Sequence, residues 1–175
     1  MNIFACWNIE NWFSLISTIL VVIGGFFAWT QWTAGTKIKR AEFINQIIEK
    51  LRFDKEMANT MYIVEYTYDW YSDNFHNSEL EYSIDKLLSY LSYICYLYAT
   101  HNIRKTEFKI LKYELNRVCV SPDVQGYLWN LYHFSKKRNM ECTFQYLIDY
   151  GIKCGIIQND FKRDDIQSYA KCLNF

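Results

Sequence analysis

The stretch WFSLISTILVVIGGFFAWTQW, residues 12–32, contains no ionisable side chain. As an α-helix it would rise by about 1.5 Å per residue, which matches the roughly 30 Å hydrocarbon core of a bilayer. The sequence therefore predicts a transmembrane helix over residues 12–33, preceded by a short extracytoplasmic segment, 1–11, and followed by a cytosolic domain, 34–175. No second segment of comparable length and apolarity follows.

The residues that flank this stretch predict its orientation in the membrane. Lys37, Lys39 and Arg40 follow it, whereas Glu10 is the only charged residue before it. By the positive-inside rule, we expect the N-terminus to lie outside and the C-terminal domain to lie in the cytosol. The alternative, a secretory signal peptide, requires a positively charged n-region that is missing here. Tryptophans mark both predicted interfaces, as in aromatic belts: Trp7, Trp12, Trp29 and Trp32.

One face of the predicted membrane helix carries mostly small and polar residues. At alternating steps of three and four, this seam comprises Ser14, Ser17, Val21, Gly24, Ala28 and Gln31. Helices associate in lipid through close approach at small residues and through hydrogen bonds, so the seam predicts self-association. It is either a packing face or, in an assembly of several chains, the lining of a pore. Because such seams are common, the sequence alone favours packing, and a tetramer is the simplest assembly expected for a pore.

The rest of the chain predicts an all-α domain of about five to six helices. Apolar residues at helical spacing continue to Leu51, so the membrane helix is expected to run on into an amphipathic one. One proline and no sustained strand alternation favour the all-α class. Ser121 is expected to cap a helix that begins at Pro122, and Gly151 to end the last helix. The other predicted helices cover 55–70, 84–98, a stretch from about Thr106, and 142–150.

Composition and motifs exclude several classes of protein. Hydrophobic residues make up 51% and charged residues 22%, which excludes intrinsic disorder. Nineteen basic and nineteen acidic residues cancel, which argues against coating duplex DNA by bulk charge but allows local patches. The six cysteines lack zinc-type spacing and are expected to be reduced. Without phosphate-binding, zinc-protease or nucleophile-elbow motifs, the sequence predicts a non-enzyme with no catalytic residue, metal or cofactor.

Two basic groups stand out within the neutral whole. Lys105, Lys109 and Lys112 share a predicted helix face opposite Phe108 and Leu111. The second group, Lys136, Lys137 and Arg138, ends the predicted fifth helix. For the first group an ordinary solvated face is favoured over anion binding, and for the second a favourable charge at a helix C-terminus is favoured. Any of the fifteen tyrosines could stack on a base of single-stranded nucleic acid, although packing is favoured for each one. The candidate anion- or nucleic-acid-binding residues are Arg104, Lys105, Lys109, Lys112, Arg117, Lys136, Lys137 and Arg138.

Three short segments carry a resemblance to a known protein family. They are Trp32-Thr33 at the exit of the predicted span, Ala41-Glu42-Phe43, and IDKLLSYL at 84–91. Across nearly its whole length the chain resembles the membrane effectors of bacterial anti-phage systems, in particular the effector family of the Hailong system. The resemblance implies a homo-oligomeric ion channel of the bacterial inner membrane. Its cytosolic domain would bind a single-stranded DNA signal made by a partner nucleotidyltransferase, with bound DNA holding the channel inactive. Other effectors of this layout sense cyclic nucleotides, which leaves two ligand classes open. The alternative function is a membrane-anchored scaffold without channel activity.

Overall fold

The computed structural model describes residues 9–163, and over that range the chain is all-helical, with six α-helices and no strand. The all-α prediction is confirmed. The chain divides into two compact units between Ile47 and Ile48. The helices are α1 (Ile9–Arg52), α2 (Lys55–Tyr66), α3 (Glu79–Ala99), α4 (Lys105–Val120), α5 (Pro122–Lys137) and α6 (Gln145–Lys153).

The first helix, α1, is continuous over 44 residues and passes through Gly35 without a break. Its most apolar part has a mean hydropathy of 1.9 over 18 residues, and none of that window is buried. A core helix of a soluble protein would have most of this surface covered. By length and composition, α1 is therefore a candidate membrane-spanning helix near the N-terminus, as the sequence predicts.

The centre of the second unit is α3. Its apolar stripe is fully buried, as its spacing of three and four residues predicts, and includes Ile84, Leu87, Leu88 and Leu91. Burying one such side chain contributes about 1.5–3 kcal/mol. Helices α2, α4 and α6 all pack against α3. Because α4 and α6 both pack against α3, the start of α4 lies beside α6.

Serine side chains cap the starts of two helices. The Ser78 hydroxyl oxygen accepts a hydrogen bond from the Glu81 backbone N–H at the start of α3, at 3.1 Å. At the start of α5, Ser121 accepts from the backbone N–H of Val124, and Pro122 occupies the first helical turn. Proline fits there because that position has no intrahelical acceptor for an N–H. The predicted start of the fifth helix is confirmed.

The predicted extension of the second helix to Trp70 is wrong, because α2 ends at Tyr66. Asp69 has a positive φ of 56°, which a helix cannot accommodate. Trp70 is buried, with its ring centroid 5.1 Å from that of Phe75. Aromatic packing therefore orders this segment as a loop, although its apolar residues fit a helical pattern.

The predicted end of the sixth helix is also wrong. Gly151 lies inside α6, which begins at Gln145 rather than Cys142 and continues to Lys153. Gly155, two residues beyond the helix, has a φ of +69° and is the left-handed residue that follows the C-cap. Gly151 serves packing instead, because the side chain of Ile157 occupies the space where a Cβ would stand.

We expect Gly151→Ala to destabilise the second unit by about 1–3 kcal/mol, the usual cost of overpacking a core. The added Cβ would lie 2.5 Å from Cδ1 and 2.7 Å from Cγ1 of Ile157. Denaturant unfolding of the detergent-solubilised chain measures the change. Ile157→Val removes the nearest atom, so the double variant should lose less stability than the sum of the single variants. Unchanged stability of Gly151→Ala would contradict the close contact.

Candidate functional site

The six seam residues lie along α1, and all six are exposed in the single chain. The Ser17 hydroxyl donates a hydrogen bond to the backbone carbonyl of Ser14 at 2.9 Å, so its donor is satisfied within the helix. A Cβ on Gly24 would meet no atom within 4 Å. The seam is thus an open face on which a second helix could approach closely.

Aromatic and basic side chains lie at the predicted ends of the span. About 30 Å of helix separates residues 12 and 32 at 1.5 Å per residue. The indoles there are well exposed, as amphipathic rings at an interface would be. Trp12, Trp29, Trp32, Lys37 and Lys39 are exposed and Arg40 is half-buried, while Trp7 lies outside the described residues.

A cavity of about 660 Å³ lies between the end of α3, the start of α4 and α6. This volume is within the range of small-ligand sites, roughly 300–1,000 Å³. We call it the Tyr98 cavity. Its lining includes Cys95, Tyr98, Ala99, His101, Ile103, Arg104, Lys105, Tyr146, Asp149, Tyr150 and Lys153.

Cations outnumber carboxylates around the Tyr98 cavity. Arg104 and Lys105 lie where α4 begins, and Lys153 lies in the last turn of α6. Within residues 9–163, none of these three side chains forms an ion pair. Asp149, the carboxylate among the lining residues, is already paired with Lys162. The positive end of the α4 macrodipole adds to the attraction for an anion.

The rings of Tyr98 and Tyr150, which line this cavity, both pack against the Phe108 ring. The Tyr98 ring stacks on Phe108 with a centroid distance of 4.0 Å and an interplanar angle of 10°. Phe108 also meets the Tyr150 ring edge-on at 5.5 Å, and the Tyr150 hydroxyl donates to Oδ1 of Asn116 at 2.7 Å. Rings fixed in this way lose little conformational entropy when a flat ligand stacks on them.

Burial keeps two polar groups of the cavity wall neutral, the Cys95 thiol and the Tyr150 hydroxyl. It raises the pKa of the Cys95 thiol far above its usual range. It also raises the pKa of the Tyr150 hydroxyl. A thiol in this state is a poor nucleophile, because the thiolate is the reactive form. The cavity presents cations, rings and neutral polar groups, a set suited to binding an anionic aromatic ligand.

A second cavity, of about 710 Å³, adjoins the first. We call it the Met140 cavity; it shares Tyr146 and Asp149 with the Tyr98 cavity. Lys136, from the last turn of α5, borders it. The two predicted basic groups therefore each contribute to one of two neighbouring cavities.

The remaining predicted basic residues lie elsewhere. Lys109 and Lys112 are exposed on α4 but line neither cavity, and Lys137 and Arg138 are exposed at the end of α5. Arg117 is ion-paired with Glu65 on α2. Within residues 9–163, no group of three or more His, Cys, Asp or Glu side chains could hold a metal ion.

Sequence reasoning missed Lys153 and the tyrosines Tyr98, Tyr146 and Tyr150 as members of the cationic cavity. Ending the last helix at Gly151 separated Lys153 from α6. The spacing Tyr146, Tyr150 and Lys153, at steps of four and three, was the available signal. What no spacing could show is that α3 brings this face of α6 next to the start of α4.

We expect His101→Gly to stabilise the second unit by about 0.5–1 kcal/mol. His101 lines the cavity with a φ of 62°, and this left-handed conformation strains a residue with a Cβ. Asn139, which follows α5 with a φ of 54°, gives a matched control, since asparagine tolerates the conformation better. Denaturant unfolding should show a smaller gain for Asn139→Gly. A destabilised His101→Gly protein would mean that the imidazole makes a stabilising contact.

Comparison of the chain with protein-family models, with curated proteins and with solved structures finds no match.

Proposed function

We propose that this chain is a subunit of a homo-oligomeric membrane channel of bacterial anti-phage defence, gated by an anionic nucleotide signal. The observation that carries the proposal is the uncharged, unburied stretch of α1 with its seam of small and polar residues. A single helix cannot enclose a lumen, so a channel needs several copies. The layout resemblance supports the defence role.

The Tyr98 cavity supports the nucleotide part of the proposal. Its cations suit phosphate groups, and the partly exposed Tyr98 ring, which stacks on Phe108, suits stacking of a base. Single-stranded DNA, supplied by a partner nucleotidyltransferase, is the favoured signal, and a cyclic nucleotide is the alternative. Ligand would bias the channel through different affinities for its open and closed states.

A membrane-anchored scaffold is the second candidate function. The hydrogen bond from Ser17 to the Ser14 carbonyl favours it, because a hydroxyl satisfied within its own helix can face lipid at low cost. In that case α1 would serve only as an anchor.

Replacing residues 12–32 by an unrelated leucine- and alanine-rich membrane helix of equal length tests the proposal. The chimaera should insert in the membrane yet lose the ion flux and growth arrest that the unchanged chain causes. Flux is measured with the purified protein in liposomes loaded with a fluorescent ion indicator. Retention of growth arrest by the chimaera would favour the anchored scaffold.

A further inference from the structure

A groove of about 620 Å³ lies between the end of α2, the middle of α4 and the start of α5. Carboxylates outnumber cations three to one among its charged residues: Glu65, Asp69 and Asp123 against Arg117. Arg117 is ion-paired with Glu65, and Asp123 is buried. The formal charges of the four lining residues still sum to a negative value. We call this surface the acidic groove.

Exposed aromatic side chains border the carboxylates. Tyr68 is 85% exposed and Tyr113 is 64% exposed, and both line the groove. The guanidinium of Arg117 already lies over the Tyr113 ring, 5.3 Å from its centroid. Tyrosine and arginine are enriched in protein interfaces. The groove thus combines negative charge with ring faces that can bind a cation.

Exposed cations of complementary charge end α5. Lys136, Lys137 and Arg138 are consecutive and exposed, and we call them the basic corner. Within the described range, Lys137 and Arg138 form no ion pair. The Arg138 guanidinium lies 4.4 Å from the centroid of the Phe134 ring, which shows that it accepts an aromatic neighbour.

The two surfaces lie at opposite ends of one helix. Pro122 and Asp123 at the start of α5 line the acidic groove, while the basic corner begins in its last turn. The fifteen helical steps from Pro122 to Lys137 span about 22 Å at 1.5 Å per residue. Both surfaces belong to the second unit, but no single copy can bring them together across that distance.

Copies that cross a membrane in one orientation are related by rotation about the membrane normal. A ring of more than two such copies uses heterologous contacts, in which two different patches of each subunit meet. We propose that the basic corner of one copy binds the acidic groove of the next copy. This inference rests on the proposed oligomeric channel and names the surfaces through which its second units associate.

A cysteine pair tests this contact in the full chain in detergent. Tyr68→Cys and Lys137→Cys place one thiol at each surface, with Cys154→Ser to remove the exposed native thiol of the described residues. A short bifunctional thiol crosslinker should shift the double variant from monomer into a ladder that ends at the subunit number. Each single variant, which carries only one of the two engineered thiols, is the matched control and should show no such ladder.

A charge swap makes the test specific. In this test Met140→Cys replaces Lys137→Cys as the thiol at the basic corner and is paired with Tyr68→Cys. Adding Lys137→Glu and Arg138→Glu should suppress the ladder, and adding Asp69→Lys should restore part of it. Circular dichroism checks that each variant keeps its helices. A chain that is oligomeric by light scattering but gives no ladder overturns the inference alone. A chain that is monomeric overturns the channel proposal as well.

Discussion

Replacing Gly24 by leucine should lower the ion flux of reconstituted protein by more than about tenfold. Leucine would fill the seam at its smallest residue, where we expect neighbouring helices to approach most closely. Overpacking such a contact costs about 1–3 kcal/mol. Summed around a ring, that loss reduces the assembled fraction by more than a factor of ten. Because a Cβ at Gly24 meets nothing within 4 Å in the single chain, α1 itself should remain intact.

Substitutions at neighbouring positions separate assembly from insertion. Ser17→Leu fills the same seam and should give a similar loss. Val22→Leu adds one methylene on a different face of α1 and should leave the flux close to its original level. Flux from dye-loaded liposomes and growth arrest on expression give independent readings. If Gly24→Leu and Ser17→Leu both retained full flux, the pore assignment of the seam would be wrong.

Replacing Arg104, Lys105 and Lys153 together by alanine should weaken binding of a short fluorescent oligothymidylate by about a hundredfold at low salt. Each cation removed costs roughly 0.7 in the slope of log affinity against log salt for a single strand. Three removals should therefore reduce the slope by about 2. Fluorescence anisotropy across a salt series measures both quantities on the detergent-solubilised chain.

Lys109 and Lys112 provide the matched control. They carry the same charge on α4 but line neither the Tyr98 cavity nor the Met140 cavity. Their double alanine variant should change affinity only a few-fold, the remainder of a long-range field. An equal loss in both variants would mean that the whole basic face of α4 binds the strand and that the Tyr98 cavity has no special role.

The elements that depend on local chemistry could be predicted from the sequence. The uncharged length of 12–32 predicts α1, and Ser121 with Pro122 predicts the start of α5. The stripe that includes Ile84 and Leu88 predicts a buried face of α3. Each of these signals lies within a few turns of helix, where sequence spacing and spatial neighbourhood coincide.

The Tyr98 cavity could not be predicted, because it depends on contacts between distant parts of the chain. Arg104 and Lys153 are separated by 49 positions yet border one cavity. Gly151 misled the prediction because a glycine that ends a helix and a glycine that makes room for Ile157 look alike in sequence. Only the conformation at Gly155 distinguishes the two roles.

The packing of α6 on α3 sets the order in which the protein can form during its synthesis. The core of the second unit closes with Ile157 and Phe161, which are almost completely buried. Helix α3 is complete about 45 residues before α6, which packs against it, begins. The apolar face of α3 therefore stays uncovered during that part of synthesis. The apolar part of α1 leaves the ribosome before either of these helices. The candidate span in α1 is therefore available for membrane insertion before the domain that follows it is able to complete its fold.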